Sequence, residues 1–373
     1  AGQLCERSWS AAEQVTGQST RRIINTRSDT NAGVVFNFTN LSAAQQATLS
    51  NDLVNWLRGA NTNEVSNSGI LRDRGTGTDR NILGDIIGSS AVRVAEPAFF
   101  YAFDNNSTFR TTWENRTPMI YVGANDGMLH AFNASTGNEV FAYVPTMVYP
   151  RLANLADQNY SHQYTVNGSP NYGDVYDSRT GINKWRSVLV GSAAQGGQGV
   201  YALDITNPDD ASQVSVYPRL SQAESSTNPD RIALWEYTDS NDADLGNVIG
   251  KPKLVKLNNG EWAAVFGNGY NNTDADGSVS ATGQAAIFVV NAVTGALIKK
   301  FSTLTGMTAD PAGNSRPNGI GELALIDIDG DSDADYIYAG DLFGNLWKVN
   351  ITSSSVASWD FSHANASSEP SPF

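Results

Sequence analysis

Acidic residues alternate along one short stretch near the end of the chain. Residues 327–335 read Asp-Ile-Asp-Gly-Asp-Ser-Asp-Ala-Asp, so five carboxylates fall within nine positions. Neighbouring negative charges repel one another unless a cation lies among them. In a tight loop, positions 1, 3, 5 and 9 supply side-chain oxygens and position 7 supplies its main-chain carbonyl. The spacing therefore predicts side-chain ligands at Asp327, Asp329, Asp331 and Asp335, and a main-chain ligand at Asp333.

The donor set of this acidic loop favours calcium. The loop contains no His or Cys, which argues against zinc and copper. Magnesium demands stricter octahedral geometry and usually keeps several waters. The spacing resembles an EF-hand loop, but Gly330 stands at position 4 instead of 6, and Tyr338 replaces the glutamate of position 12. We therefore expect a hairpin loop that carries a calcium site, and the alternative is a solvated acidic turn.

Two other polar loops are weaker candidates for an ion. Loops rich in Asn and Asp are usually solvated turns, so we rank a second ion well below the first. The candidate residues are Asn271, Asn272, Asp274 and Asp276 in one loop, and Asp239, Asp242 and Asp244 in the other.

The acidic loop lies between two apolar runs, Leu323–Ile326 and Tyr336–Ala339, which predict a pair of strands. Similar short strands, each after a small or proline residue, open four units of the chain. They begin about 70–80 residues apart, which is longer than the usual propeller blade and implies long insertions. The four opening segments are 90–94, 169–173, 251–255 and 321–325.

Two hairpins in these units align without a gap. They are Gly123–Asn133 and Gly340–Asn350, and in each a glycine four residues after the first, Gly127 or Gly344, supplies the positive φ of the turn. Three to four antiparallel strands per unit, radially repeated, are typical of propeller blades. We predict an all-β fold, a modified β-propeller with quinoprotein-like blades and a few peripheral helices. The polar tail at 362–373 shows no closing strand, so we expect the propeller to be incomplete at the C-terminus.

The start of the chain has a different character. Residues 1–40 show little periodicity and are expected to be extended or loosely packed. Ser42 and Gln45 form a capping-box pattern that begins one helix, and Gly59 is its stop. The polar loop 60–82 contains Arg72-Asp73-Arg74-Gly75. We predict a lead-in segment at 1–82 with one covering helix, followed by the propeller domain at 83–373 with its calcium loop at 327–335.

Composition excludes several classes of partner. The net charge of −14 and pI near 4.6 disfavour nucleic acid and anionic lipid. The single cysteine, Cys5, cannot form a disulfide framework within the chain. No apolar run approaches 18 residues, so no transmembrane segment is expected. The start lacks a signal-peptide pattern, and we expect that a signal was removed or that the chain begins within a longer protein.

Several segments occur together in one order. Their combination resembles the C-terminal propeller domain of the PilY-type type IV pilus biogenesis factors and tip adhesins, over about residues 50–350. The hairpin at residues 123–127 alone would be weak, since quinoprotein-type propellers share it. The segments are Leu53–Gly59, Leu83–Ile86, Tyr121–Phe132, Val265–Tyr270 and Asp327–Trp347.

The resemblance implies a function and a location. It implies a calcium-binding regulatory and adhesion module that controls pilus extension against retraction and surface attachment. Its partners would be pilus components such as minor pilins, and host-cell or abiotic surfaces. It also implies export across the outer membrane of a Gram-negative bacterium to the cell surface or pilus tip. The family's calcium ligands fall on Asp327, Asp329, Asp331, Asp333 and Asp335.

Two alternatives stay open beside calcium regulation. The ion could serve only as a structural staple of its blade. The chain could also be a quinone-dependent dehydrogenase, but a paired-cysteine element resembles the usual equipment of those enzymes and one cysteine cannot supply it. The three histidines, His130, His162 and His363, lie far apart and lack a nucleophile signature. We expect no enzymatic activity.

Overall fold

Four β-sheets follow one another along the chain. The structure is a computed structural model that describes residues 10–15, 17, 19–275 and 277–373, so Cys5 and Asp276 lie outside the described residues. The strands are β1 (Ile23–Thr26), β2 (Gly33–Val35), β3 (Val92–Val94), β4 (Met119–Ala124), β5 (Met128–Asn133), β6 (Glu139–Val144), β7 (Asn171–Asp177), β8 (Lys184–Ser192), β9 (Gly199–Asp204), β10 (Ala233–Thr238), β11 (Lys253–Leu257), β12 (Trp262–Gly267), β13 (Ala286–Asn291), β14 (Leu297–Ser302), β15 (Ile320–Ile326), β16 (Asp333–Ala334), β17 (Tyr336–Asp341), β18 (Leu346–Asn350) and β19 (Asp360–Phe361).

Each sheet is formed mainly by strands that are consecutive in the chain. The orders are β2-β1-β6-β5-β4-β3, β10-β9-β8-β7, β14-β13-β12-β11-β16 and β15-β17-β18-β19. Within the described residues no strand joins the fourth sheet to the first, so the sheets are not closed into a ring. The repeated antiparallel sheets confirm the predicted all-β fold, and the four predicted opening segments overlap β3, β7, β11 and β15. Strand β19, which completes the fourth sheet, had no signal in the sequence pattern.

Consecutive sheets share apolar cores. Strand β12 shows how this works, because its side chains alternate between two neighbours. Ala264 and Phe266 pack in the core with the second sheet, while Ala263 and Val265 pack in the core with the fourth. Side chains of a strand point alternately to opposite faces, so a strand covered on both faces is apolar throughout. This stacking of sheets, face on face, fixes where the connecting loops lie.

The two hairpins that align in the sequence have the same turn in the structure. Gly127 and Gly344 have φ values of 93° and 88°. Backbone in this left-handed region strains any residue with a Cβ, which is why glycine recurs there. The strands that follow, β5 and β18, pair antiparallel with β4 and β17.

The lead-in segment differs from its prediction. Strand β1 pairs in parallel with β6 and antiparallel with β2, so it belongs to the first sheet. Ile23 and Ile24 are completely buried. Strand β1 is extended, as one half of the expectation had it, but it is not loosely packed. Two adjacent isoleucines are too short a run to show periodicity, and their partner strand lies more than 100 residues away. The division of the chain after residue 82 stays a prediction.

The single predicted helix is two helices. The capping box of Ser42 and Gln45 begins the first helix as expected, but Leu49 is extended, with φ −125° and ψ 124°. The side chain of Ser50 then accepts a hydrogen bond from the Leu53 amide at 3.2 Å and begins a second helix. The helices of the described residues are α1 (Ala11–Gln14), α2 (Ala43–Thr48), α3 (Asn51–Leu57), α4 (Asn106–Trp113), α5 (Tyr149–Leu152) and α6 (Asn228–Ile232).

These helices are short. The longest in the described part of the chain, α4, has eight residues, whereas a membrane-spanning helix needs about 20. No helix among the described residues is therefore suited to cross a bilayer.

Candidate metal centre

The acidic loop joins two paired strands of the fourth sheet. Strands β15 and β17 pair up to Ile326 and Tyr336, and the amide of Asp335 donates to the carbonyl of Ile326 at 2.8 Å. Residues 327–334 must therefore form a loop that leaves the sheet after Ile326 and returns to the same end of the sheet at Asp335. Gly330 and Ser332, with φ of 81° and 77°, make the reversal possible.

Three carboxylates converge in this loop. Oxygen atoms of Asp327, Asp329 and Asp335 all lie within 4.8 Å of one another. Asp327 and Asp329 are exposed, whereas Asp335 is only 4% exposed. Because Asp327 and Asp329 are open to solvent and only Asp335 is buried, an ion can reach the three carboxylates from the solvent side.

Backbone amides orient these carboxylates. Asp327 accepts hydrogen bonds from the amides of Gly330, at 2.7 Å, and Ser332, at 2.9 Å. Asp335 accepts one from the amide of Ile328 at 2.9 Å. Amide donors offset part of the repulsion among the acids and hold their side chains in one arrangement.

The other two predicted ligands lie outside this group of three. Asp331 accepts a hydrogen bond from the amide of Asp333 at 2.8 Å. The carboxylate of Asp333 forms an ion pair with the ammonium of Lys256 on β11. Burial raises the pKa of Asp333, although Lys256 opposes that shift. Because its side chain is engaged elsewhere, Asp333 is left with its carbonyl for an ion, as position 7 of the loop requires.

The acidic loop also forms part of the neighbouring sheet. Strand β16 lies within the loop and pairs in parallel with β11, with Lys256 opposite Asp333. The side-chain amide of Asn258 donates to the carbonyl of Ala334 at 2.9 Å and to the carboxylate of Asp335 at 3.3 Å. The sequence offered no signal for Lys256 or Asn258, because they lie about 77 residues from their partners and belong to another blade.

Several candidate ligands of the two other polar loops have protein partners. The ammonium of Lys300 lies 2.7 Å from Asp242 and 2.7 Å from Asp244, so a lysine supplies the positive charge there. The side chain of Asn272 donates to two main-chain carbonyls, those of Asp244 and Gln284. Among the described residues, the acidic loop holds the one group of three potential metal ligands.

His130 belongs to a buried ionic chain. Its Nδ1 lies 2.8 Å from Glu139 and its Nε2 lies 3.0 Å from Asp126. Burial lowers the pKa of His130, but the two carboxylates outweigh burial and raise the pKa to about 9. Arg21 in turn binds Glu139 at 2.7 Å. Both ring nitrogens are engaged, which fits a structural role for this residue.

The acidic loop suits a hard divalent cation. Its donors are all oxygen atoms, and the buried Asp335 carboxylate has amide donors that keep it turned toward Asp327 and Asp329. Converging oxygen donors of this kind fit a divalent cation, whose charge would offset that of the carboxylates. The chemistry is therefore that of a binding site.

Comparisons with known proteins agree with the fold. Residues 83–371 match the family described as the PilY1 beta-propeller domain. The crystal structure of the Pseudomonas aeruginosa PilY1 C-terminal domain is similar, with 32% identity and a TM-score of 0.54, over 74% of this chain and 51% of that one.

Curated relatives agree as well. A type IV pilus biogenesis factor PilY1 homolog from Xylella fastidiosa is 38% identical over 340 residues, which cover 86% of this chain and 21% of the relative. The type IV pilus biogenesis factor PilY1 of Pseudomonas aeruginosa strain UCBPP-PA14 is 34% identical over 92% of this chain and 28% of the relative. The chain thus spans between a fifth and three tenths of the length of these proteins. With a family model that matches residues 83–371 and relatives that are 34–38% identical over most of its length, the chain belongs to the PilY1 beta-propeller domain family.

Proposed function

We propose that this domain is a calcium-responsive regulatory module of the type IV pilus machinery, which biases the pilus toward extension or retraction and contributes to surface attachment. The observation that carries the proposal is the convergence of Asp327, Asp329 and Asp335 in a loop that also contributes a strand to the adjacent sheet. The five-residue ligand set, completed by Asp331 and the carbonyl of Asp333, is part of the proposal.

The geometry suggests how an ion would act. Calcium would neutralise the converging carboxylates and draw Asp327 and Asp329 toward Asp335. Strand β16 follows directly in the loop, so the same movement acts on its pairing with β11. A ligand shifts an equilibrium only by its different affinity for two states, so this junction must differ between the ion-free and ion-bound forms.

The proposal includes partners and a location. The proposal places the domain at the cell surface or pilus tip of a Gram-negative bacterium, in contact with minor pilins and with host-cell or abiotic surfaces. Support comes from the names of the curated relatives, which are type IV pilus biogenesis factors. No catalytic role is proposed, and a test for quinone absorbance and alcohol turnover checks this expectation.

A structural staple is the second candidate function. It is favoured by the hydrogen bonds that already hold the loop, such as those from Gly330 and Ser332 to Asp327. A staple would raise thermal stability on ion binding and leave the neighbouring sheet unchanged. Regulation requires that ion binding also change the structure or dynamics of strand β11.

Calorimetry tests the ion site. We expect calcium to bind with a dissociation constant of roughly 10⁻⁷–10⁻⁵ M, and magnesium to bind much more weakly. Asp335→Asn should weaken calcium binding by at least about 30-fold, because it removes the charge of the buried ligand and nearly preserves its shape. Identical heats from the variant and the unaltered chain would refute the site.

A further inference from the structure

A cavity of about 310 Å³ lies far along the chain from the acidic loop. It opens between helix α3, the polar loop that follows it and the first hairpin. Side chains of Trp56, Arg72, Arg74, Asp85 and Tyr160 line it. We call it the arginine cavity, because two arginines form part of its wall in a chain whose net charge is −14.

The two arginines are held differently. The guanidinium of Arg74 lies 3.8 Å from the centre of the Trp56 ring, binds Glu64 at 2.9 Å and donates to the carbonyl of Ala60. Burial lowers the pKa of Arg74 to about 10, although Glu64 opposes that shift. Glu64 also binds Arg80 at 2.8 Å. The charge of Arg74 is therefore satisfied by a carboxylate that it shares with Arg80.

Arg72 has no such carboxylate. Its guanidinium lies 4.5 Å from the centre of the Tyr160 ring and 5.6 Å from that of Trp56. Its Nε donates to the carbonyl of Leu155 at 2.8 Å. In the part of the chain that the structure describes, no acidic group lies within 4 Å of its nitrogens, and its two Nη groups have no hydrogen-bond acceptor. The aromatic contacts and the Nε hydrogen bond immobilise the planar guanidinium of Arg72. The N–H groups on its two Nη atoms remain available to a ligand.

Among the described residues, Arg72 is the charged group of the cavity wall that lacks an ionic partner. Arg74 is paired with Glu64, which it shares with Arg80, and Asp126 is paired with His130. A fixed guanidinium fork matches a carboxylate, which accepts two parallel hydrogen bonds. Asp85 lines the same cavity with a side chain that is 42% exposed; its Oδ2 accepts from the side-chain amide of Asn125 at 2.6 Å and lies 3.0 Å from Nε2 of His162, which leaves Oδ1 as the acceptor for a ligand. The charge of Asp85 would repel a phosphate dianion.

We propose that the arginine cavity binds a ligand through one carboxylate held by Arg72, with Asp85 accepting an N–H or O–H donor of the same ligand. The carboxylate can belong to the C-terminus of a peptide or to a small organic acid. This site is independent of the calcium proposal, since none of its residues belongs to the acidic loop or to the strands that flank it.

Matched probes test the carboxylate requirement. The indole N–H of Trp56 donates to the carbonyl of Arg72 at 3.0 Å, so its NMR signal reports on the cavity. The probes are acetyl-glycyl-glycine, its C-terminal amide, succinate and inorganic phosphate. We expect the free peptide acid or succinate to shift this signal in a saturable way, and the amide to have no effect. A stronger response to the peptide acid identifies a peptide terminus, and a stronger response to succinate identifies an organic acid.

Variants test the role of Arg72. Arg72→Gln should weaken binding of the active probe at least tenfold, and Arg72→Lys should weaken it nearly as much, because lysine keeps the charge without the fork. Arg179→Gln is the control, since Arg179 is half-exposed and pairs with Asp177 elsewhere. Equal responses to the acid and amide probes in the unaltered chain would overturn the proposal, as would unchanged binding in Arg72→Gln or preference for phosphate.

Discussion

Two acids only two residues apart in the acidic loop have different partners. Asp335 is buried beside Asp327 and Asp329, and it accepts hydrogen bonds from Ile328 and Asn258. Asp333 pairs with Lys256 of the neighbouring sheet. The alternation of acids predicted that an ion would lie in this loop, but it could not assign the partner of each side chain, because Lys256 is distant in sequence.

The different partners predict different effects of the same substitution. Asp333→Asn should leave calcium affinity within about threefold, because we assign an ion only the carbonyl of this residue. Asp335→Asn should lower affinity by at least about 30-fold, because a charged ligand is lost. Calorimetry on the two variants makes the comparison. If both lost binding equally, the side chain of Asp333 would be a ligand and its pairing with Lys256 would not persist.

His130 gives a pH dependence that is independent of any ion. Its pKa is raised to about 9 in the folded chain, against about 6.5 when unfolded. A raised pKa stabilises the fold fully below about pH 6.5, and this stabilisation is lost as the pH rises through about 9. Its upper limit is on the order of 3 kcal/mol.

Urea unfolding across this pH window measures the contribution of His130. We expect the free energy of unfolding to fall as pH rises from about 6.5 to about 9, and His130→Gln to flatten that slope. The control is His363→Gln, because His363 is exposed. An unchanged slope in His130→Gln would mean that the imidazole is not charged between Asp126 and Glu139.

At the scale of elements, the acidic loop is also a connector between sheets. Strand β16 extends the third sheet, whereas the strands before and after it in the chain, β15 and β17, belong to the fourth. The break between helices α2 and α3, just before Ser50, is a second feature that the local sequence pattern did not predict. The capping box at Ser42 and the stop at Gly59 predicted one helix, but the side chain of Ser50 caps Leu53 and starts a new one. The local sequence pattern predicted the helical segment, whereas the position of the break within it depends on a single hydrogen bond.

Lys256 should affect ion binding from the neighbouring sheet. Lys256→Gln removes a positive charge beside the acidic loop, so we expect calcium affinity to rise by about three- to tenfold. The same change should loosen β16, because its ion pair to Asp333 is lost. Lys253→Gln is the matched control on the same strand, since Lys253 pairs with Glu322 instead. If Lys256→Gln left calcium affinity unchanged, the charge of Lys256 would have no effect on the bound ion.

At the scale of the whole molecule, each sheet is stabilised by its neighbours. Between the second and third sheets, Trp185 stacks on Tyr101 at 5.2 Å and meets Trp262 edge-on at 5.7 Å. The repeat of strands and hairpins in the sequence predicted the succession of sheets. The position of the lead-in strand β1 could not be predicted, because its partner β6 follows more than 100 residues later.

Trp185 tests the dependence of one sheet on the next. Trp185→Ala should lower the free energy of unfolding by about 3–5 kcal/mol, since it leaves a cavity between two sheets. Phe100→Ala is the control, because Phe100 is 64% exposed and its removal should have a small effect. Urea denaturation compares the variants, and similar losses for both would contradict a shared core at Trp185.

Hydrogen exchange with and without calcium is the most direct test of the central claim, which is that an ion in the acidic loop acts on the adjacent sheet. We predict that saturating calcium slows exchange in residues 327–335 and also in β11, and that Asp335→Asn removes both effects. Slower exchange in 327–335 alone would reduce the ion to a staple. Exchange that calcium leaves unchanged throughout would contradict the account.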